Sequence, residues 1–83
     1  MKQGDLITLK TPYTDIPTYE WTGTEFKFWE THARGAVRMW HRGAVSLFLG
    51  PTMMHATRLW GRILFEGHEC WVTMEYVEAL SEG

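Results

Sequence analysis

The sequence predicts a small all-β fold: about five or six short strands in a small barrel or tightly bent sheet, with one 3₁₀ turn near the C-terminus. Three observations lead there. Several segments alternate apolar and polar residues at period two, as strands covered on one face do. Glycine or proline separates these segments at short intervals. The chain has 83 residues, enough for one domain with one core and little beside it.

The first strand is Leu6-Ile7-Thr8-Leu9-Lys10, opened by Gly4-Asp5 and ended by Thr11-Pro12, with Ile7 and Leu9 sharing a face. Residues 11–22 hold Pro12 and Pro17 and read as a loop of extended character, because proline fixes φ and biases its predecessor away from helix. Gly23 marks a hairpin turn, across which Trp21 and Phe26 pair. Over residues 24–30, Phe26 and Phe28 point one way and Glu25, Lys27 and Trp29 the other.

Beyond Gly35, residues 36–42 fit a strand with Val37, Met39 and His41 on one face and Ala36, Arg38, Trp40 and Arg42 on the other. A helix interrupted at Gly35 is the competing reading, and the β character of the flanks favours the strand. Residues 43–49 form the strongest strand, which Gly50-Pro51-Thr52 ends. Residues 56–65 form the next, with a bulge or bend at Gly61. A turn at Glu66-Gly67-His68 leads into residues 69–73. Met74-Glu75-Tyr76-Val77 reads as one 3₁₀ turn before a last short strand. The expected core is Ile7, Leu9, Val45, Leu47, Leu59, Ile63, Val72, Val77 and Leu80.

Two segments resemble SH3-like barrels. Tyr76-Val77-Glu78-Ala79-Leu80 matches the 3₁₀ turn and closing strand of signalling SH3 domains, and Gly4-Asp5-Leu6-Ile7 resembles the opening of many SH3-like barrels. The two ends together also resemble small SH3-like proteins of tailed bacteriophages. That resemblance implies a phage accessory or virion-associated protein, placed in the host cytoplasm or the virion, that binds a host protein or a virion component. Recognition of proline-rich ligands is not implied. Residues 11–22 carry only Asp15 and Glu20 as acids, and Thr73 stands where signalling domains have proline.

Composition narrows the function. Five Trp, four Phe and three Tyr are too aromatic for a disordered tail. Apolar runs are too short for a membrane span, and the N-terminus has no apolar signal segment, so an intracellular protein is expected. A formal net charge of −2 lacks the basic excess of a general nucleic-acid binder. Cys70 is the only cysteine, which excludes an intramolecular disulfide. The core must therefore stabilise the fold alone or with a second copy.

No catalytic residue, metal or cofactor is expected. His32, His41, His55 and His68 are spread along the chain without the spacing a metal site demands. Cys70 reads as a small buried residue. Glu66, Glu69, Glu75, Glu78 and Glu82 read as a solvated face.

A sharper feature is the segment 34–42. Arg38, Trp40 and Arg42 share a strand face there, which could stack bases and hold phosphates, or grip a protein surface. The bland alternative puts Trp40 in the core and pairs the arginines with glutamates. Twelve aromatics exceed what one small core can use, so some reach an interface, unless the sheet is covered on both sides by the long loop. The expected partner-binding residues are Tyr13, Tyr19, Trp29, Arg38, Trp40 and Arg42, with residues 11–22 as the rim. The sequence thus predicts a non-enzymatic module for a protein partner. A nucleic-acid-binding barrel using residues 34–42 is the alternative.

Overall fold

In the computed structural model of the chain, which describes residues 1–30 and 36–80, the regular elements are nine strands and one 3₁₀ turn. The strands are β1 (Leu6–Leu9), β2 (Asp15–Pro17), β3 (Tyr19–Trp21), β4 (Phe26–Phe28), β5 (Met39–His41), β6 (Ser46–His55), β7 (Arg58–Phe65), β8 (His68–Thr73) and β9 (Val77–Ala79). The turn, η1 (Met74–Tyr76), lies between β8 and β9. The fold is all-β, and the 3₁₀ turn stands where the sequence puts it.

The barrel, however, does not close. Seven strands form one antiparallel sheet in the order β4-β3-β8-β7-β6-β1-β9, and β2 and β5 form a separate ribbon. Closure requires the two edge strands to pair. Here β4 and β9 remain edges, and the ribbon covers the core instead, contributing Ile16 and Trp40 to it. The strand number exceeds the expected five or six because residues 11–22 hold β2 and β3 rather than a plain loop.

Thr18 makes the step between those two strands. It is fully buried. Its backbone N–H donates to the Arg38 carbonyl at 3.0 Å, and its carbonyl accepts from the Trp29 N–H at 2.9 Å. Its hydroxyl donates to the same Arg38 carbonyl at 2.7 Å. A buried polar residue is tolerated because each group has a partner.

The core gathers Ile7, Leu9, Phe48, Ile63, Phe65, Cys70, Val72 and Val77 from the sheet. Five expected core residues, Ile7, Leu9, Ile63, Val72 and Val77, are buried, while Leu47 and Leu80 are half-buried. Val45 and Leu59 are corrections, at 48% and 42% exposed. Val45 precedes β6, whose buried positions are Ser46, Phe48 and Gly50. A one-residue change of phase moves a whole apolar set to the other face. Leu59 pairs with Met54 near the tip of the β6–β7 hairpin, away from the core residues.

β6 also runs on through the expected stop at Gly50-Pro51. Its register with β7 goes from Phe48↔Ile63 to Thr52↔Gly61, so Leu49, Gly50 and Pro51 all stand opposite Arg62. Arg62 Nε donates to the Gly50 carbonyl at 2.6 Å and so satisfies a carbonyl within the bulge. Proline fits there because it owes the ladder no donor. Gly61 carries no bulge. It is buried, and a Cβ added to it would lie 2.2 Å from Met74 Sδ and 3.1 Å from Phe48 Cε1.

Three substitutions test this packing by thermal melting. Trp40→Ala should cost about 3–5 kcal/mol, as loss of a fully buried aromatic does. Gly61→Ala should cost about 1–3 kcal/mol through overpacking. Val45→Asp should stay within about 0.5 kcal/mol of the parent; if it prevents folding, the phase of β6 is wrong.

The β6–β7 turn gives a second test. Ala56 and Thr57 both adopt positive φ, 52° and 64°, the conformation that asparagine and glycine occupy at low cost. Replacing the pair by Ala56→Asn with Thr57→Gly should stabilise the fold by ~1 kcal/mol or more.

Candidate functional site

Five elements meet around one depression of about 320 Å³, lined by Ile16 and Pro17 of β2, Tyr19 of β3, Arg58 and Trp60 of β7, Thr73 of β8 and Tyr76 of η1. Two larger depressions, of about 450 Å³ beside residues 1–3 and about 560 Å³ beside Met74, are more open to solvent.

Trp60 forms the wall of this groove. It stacks on Phe26 at a centroid distance of 3.9 Å and meets the edge of Tyr19 at 4.8 Å. Its indole N–H donates to the His55 carbonyl at 3.2 Å, so this donor is paired. Tyr76 is set by η1. The Lys10 N–H donates to the Tyr76 carbonyl at 2.9 Å, and Tyr13 packs edge-on against the Tyr76 ring at 4.7 Å. The groove is thus aromatic on several sides and rigid where its rings interlock.

Arg58 supplies the charge. Its Nη1 donates to Glu75 Oε1 at 2.8 Å and to the Tyr76 hydroxyl at 3.3 Å. The Tyr76 hydrogen bond, and then Glu75, hold Arg58 above its ordinary pKa, so it stays protonated. Burial pushes the Tyr19 phenol above its ordinary value, partly offset by nearby Arg58 and reinforced by Tyr76. Tyr19 is therefore a neutral hydroxyl at physiological pH.

The expected site residues divide. Tyr19 lines the groove and Tyr13 buttresses it through Tyr76. Trp40 is a correction: it is fully buried, stacks on Phe65 at 5.8 Å and donates its indole N–H to the Ala44 carbonyl at 3.0 Å. The expected strand over 36–42 is shorter, Met39–His41, and the Trp40 side of it faces the core. Such a ring cannot stack a base or meet a partner.

Arg38 lies over the Trp29 ring at 4.5 Å and within 3.9 Å of Glu66, which also removes it from a phosphate-binding face. Trp29 packs against the core and meets His68 at 5.3 Å, apart from the groove. Arg42 is exposed and donates to Thr11 Oγ1 at 3.2 Å. Arg34 and His32 lie outside the described residues.

Ile16 and Pro17 fall within the expected rim of residues 11–22, but sequence reasoning missed Arg58, Trp60, Thr73 and Tyr76 as groove residues. Tyr76 carried a signal, since the Tyr76-Val77 pair marked the 3₁₀ turn. Arg58 and Trp60 carried none, because their placement depends on how β3 and η1 approach β7.

Other reactive groups are spoken for. His41 Nδ1 pairs with Asp15 Oδ1 at 2.5 Å. His55 meets the edges of Trp21 and Phe26. No three His, Cys, Asp or Glu residues gather around a common point among the described residues. Burial pushes the Cys70 thiol up to about 12, against the smaller opposing effects of a hydrogen bond with Thr18 and the charge of Arg38. It is a core thiol rather than a nucleophile.

Comparison with protein-family models, with curated proteins and with solved structures finds no match to this chain.

The Cys70 assignment is open to labelling with a thiol reagent at pH 8. The folded protein should react on the order of 1,000-fold more slowly than free cysteine, because so little thiolate is present, and denaturant should restore the rate.

Proposed function

We propose that the chain is a small non-enzymatic interaction module that holds an extended segment of a protein partner in the Tyr19–Trp60–Tyr76 groove. The observation that carries this reading is the groove itself. Residues from 16 to 76 in the chain converge on about 320 Å³ of concave surface, where three aromatic rings, Ile16 and Pro17 stand beside Arg58 and Thr73 and the surface is slightly more polar than apolar. Convergence of aromatic walls and polar groups on one concavity is what a binding site requires. Trp, Tyr and Arg are also the residues that dominate protein interfaces.

The strand order β9-β1-β6-β7-β8, with η1 ahead of β9, supports an SH3-like reading of the sheet despite its open edges. The resemblance of the two chain ends extends the proposal to a bacteriophage accessory or virion-associated protein whose partner is a host protein or a virion component.

Nucleic acid is the weaker candidate. Trp40 is buried, and Arg38 and Arg62 each lie within 4 Å of a carboxylate. Phosphate binding would have to displace those pairs, and the net charge of −2 works against it.

The test immobilises the protein and passes a bacterial lysate over it, with and without nuclease. A specific protein should be retained in both cases and lost with Tyr19→Ala or Tyr76→Ala, each expected to weaken binding by about 2 kcal/mol. Titration of single-stranded and duplex oligonucleotides at low salt is the counter-test. Micromolar binding abolished by Arg38→Glu with Arg42→Glu would put nucleic acid first.

A further inference from the structure

Resting on the groove reading above, we infer that the groove selects an acidic segment: an Asp or Glu side chain of the partner seated at Arg58, with apolar residues beside it along Trp60, Pro17 and Ile16. The polar end of the groove is built of donors. Arg58 commits only Nη1 to Glu75 and Tyr76 among the described residues, which leaves Nε and Nη2 to donate elsewhere. The Tyr76 hydroxyl accepts from Arg58, so its own proton is free to be donated outward. The Tyr19 hydroxyl lies close enough to Arg58 to feel its charge and has no side-chain partner of its own among the described residues.

A carboxylate has two acceptor oxygens, and a guanidinium with two phenols is a matching set. Glu75 offsets part of the charge of Arg58 but occupies only its Nη1, and Asp15, beside the groove on β2, is paired with His41. A basic ligand would find both carboxylates engaged and a fixed cation in its path. A neutral ligand would leave the donors without acceptors, which costs affinity once the groove is covered. The selection is therefore one of charge as well as shape.

The experiment selects random twelve-residue peptides, displayed with their C-termini fused to the carrier, against the folded protein. Selected peptides are then made with amidated C-termini and titrated. The enriched peptides should share an Asp or Glu within an apolar stretch. Changing that acid to Asn or Gln, or Arg58→Ala in the protein, should each weaken binding roughly 10- to 100-fold, and the two changes together should add little more. Arg58→Glu should redirect the selection toward Lys or Arg. Lys27→Ala, on the β3–β4 hairpin, should bind as the parent does, and circular dichroism should confirm that each variant is folded.

Peptides that need Tyr19 and Tyr76 but carry no acid, or ignore Arg58→Ala, would overturn the carboxylate inference and leave the groove standing. Peptides unaffected by Tyr19→Ala and Tyr76→Ala, or a selection yielding none that depend on them, would overturn the groove itself.

Discussion

The buried hydrogen bonds of Thr18 hold together the two coverings of the central sheet. On one side of this residue, Ile16 enters the core among Ile63, Cys70 and Val72. On the other, Tyr19 pairs with Trp71 of β8 and turns its ring to Trp60. Thr18 lies between, tied to Arg38 and Trp29 through its backbone and to Arg38 again through its hydroxyl. The ribbon and the β3–β4 hairpin therefore meet at one residue. Without its bonds, a buried N–H and C=O would each lack a partner, at about 1–3 kcal/mol apiece.

That arrangement explains the aromatic excess. A sheet covered on one face needs few large rings in a chain this short. Here β7 and β8 are covered on both. Trp40 and Phe65 stack on the core side, while Phe26, Trp60, Tyr19 and Trp71 interlock on the other. The long connection between β1 and β6 supplies both coverings. The additional rings thus serve the fold first, and Tyr19, Trp60 and Tyr76, at the seam of the two coverings, line the groove. Exposure of Phe28, at 50%, marks the outer limit of the second cluster.

What was legible in the sequence was local. The Gly23 turn pairs Trp21 with Phe26 in register as the alternation required, and their rings lie 4.7 Å apart. Glu66 and Gly67 turn with positive φ between β7 and β8, and Met74 opens the 3₁₀ turn. What was hidden was phase and partnership. Around β6 both parities are apolar, and the polar residue Ser46 falls on the core side, where its hydroxyl has no partner among the described residues. Burial of Ser46 in place of Val45 is opposed by local hydropathy and is imposed by the bonds of β6 to β1 and β7. Trp40 was ambiguous for a related reason. Two arginines flank it on its own face, yet Arg38 lies along Trp29 and Arg42 reaches Thr11, so the ring alone enters the core. Tyr19 was named from the sequence, but its convergence with Arg58 and Tyr76 could not be read from spacing, since the three meet only through long-range contacts.

The position of the groove at that seam bears on how it can work. Its walls are already fixed by contacts the fold requires: Trp60 by Phe26 and the His55 carbonyl, Tyr76 by Tyr13 and Lys10, and Arg58 by Glu75. A ligand therefore meets side chains whose rotamers are largely chosen, and the ordering cost of roughly 0.5–1.5 kcal/mol per immobilised side chain falls mainly on the ligand. The same economy limits evolution and mutagenesis alike. Trp60, only 7% exposed, cannot change without loosening the second aromatic cluster. Arg58 and Tyr19 are less buried than Trp60, so substitution there disturbs the packing less. Under the proposed binding role, specificity would rest on these less buried groove residues, and affinity on the walls that the fold itself requires.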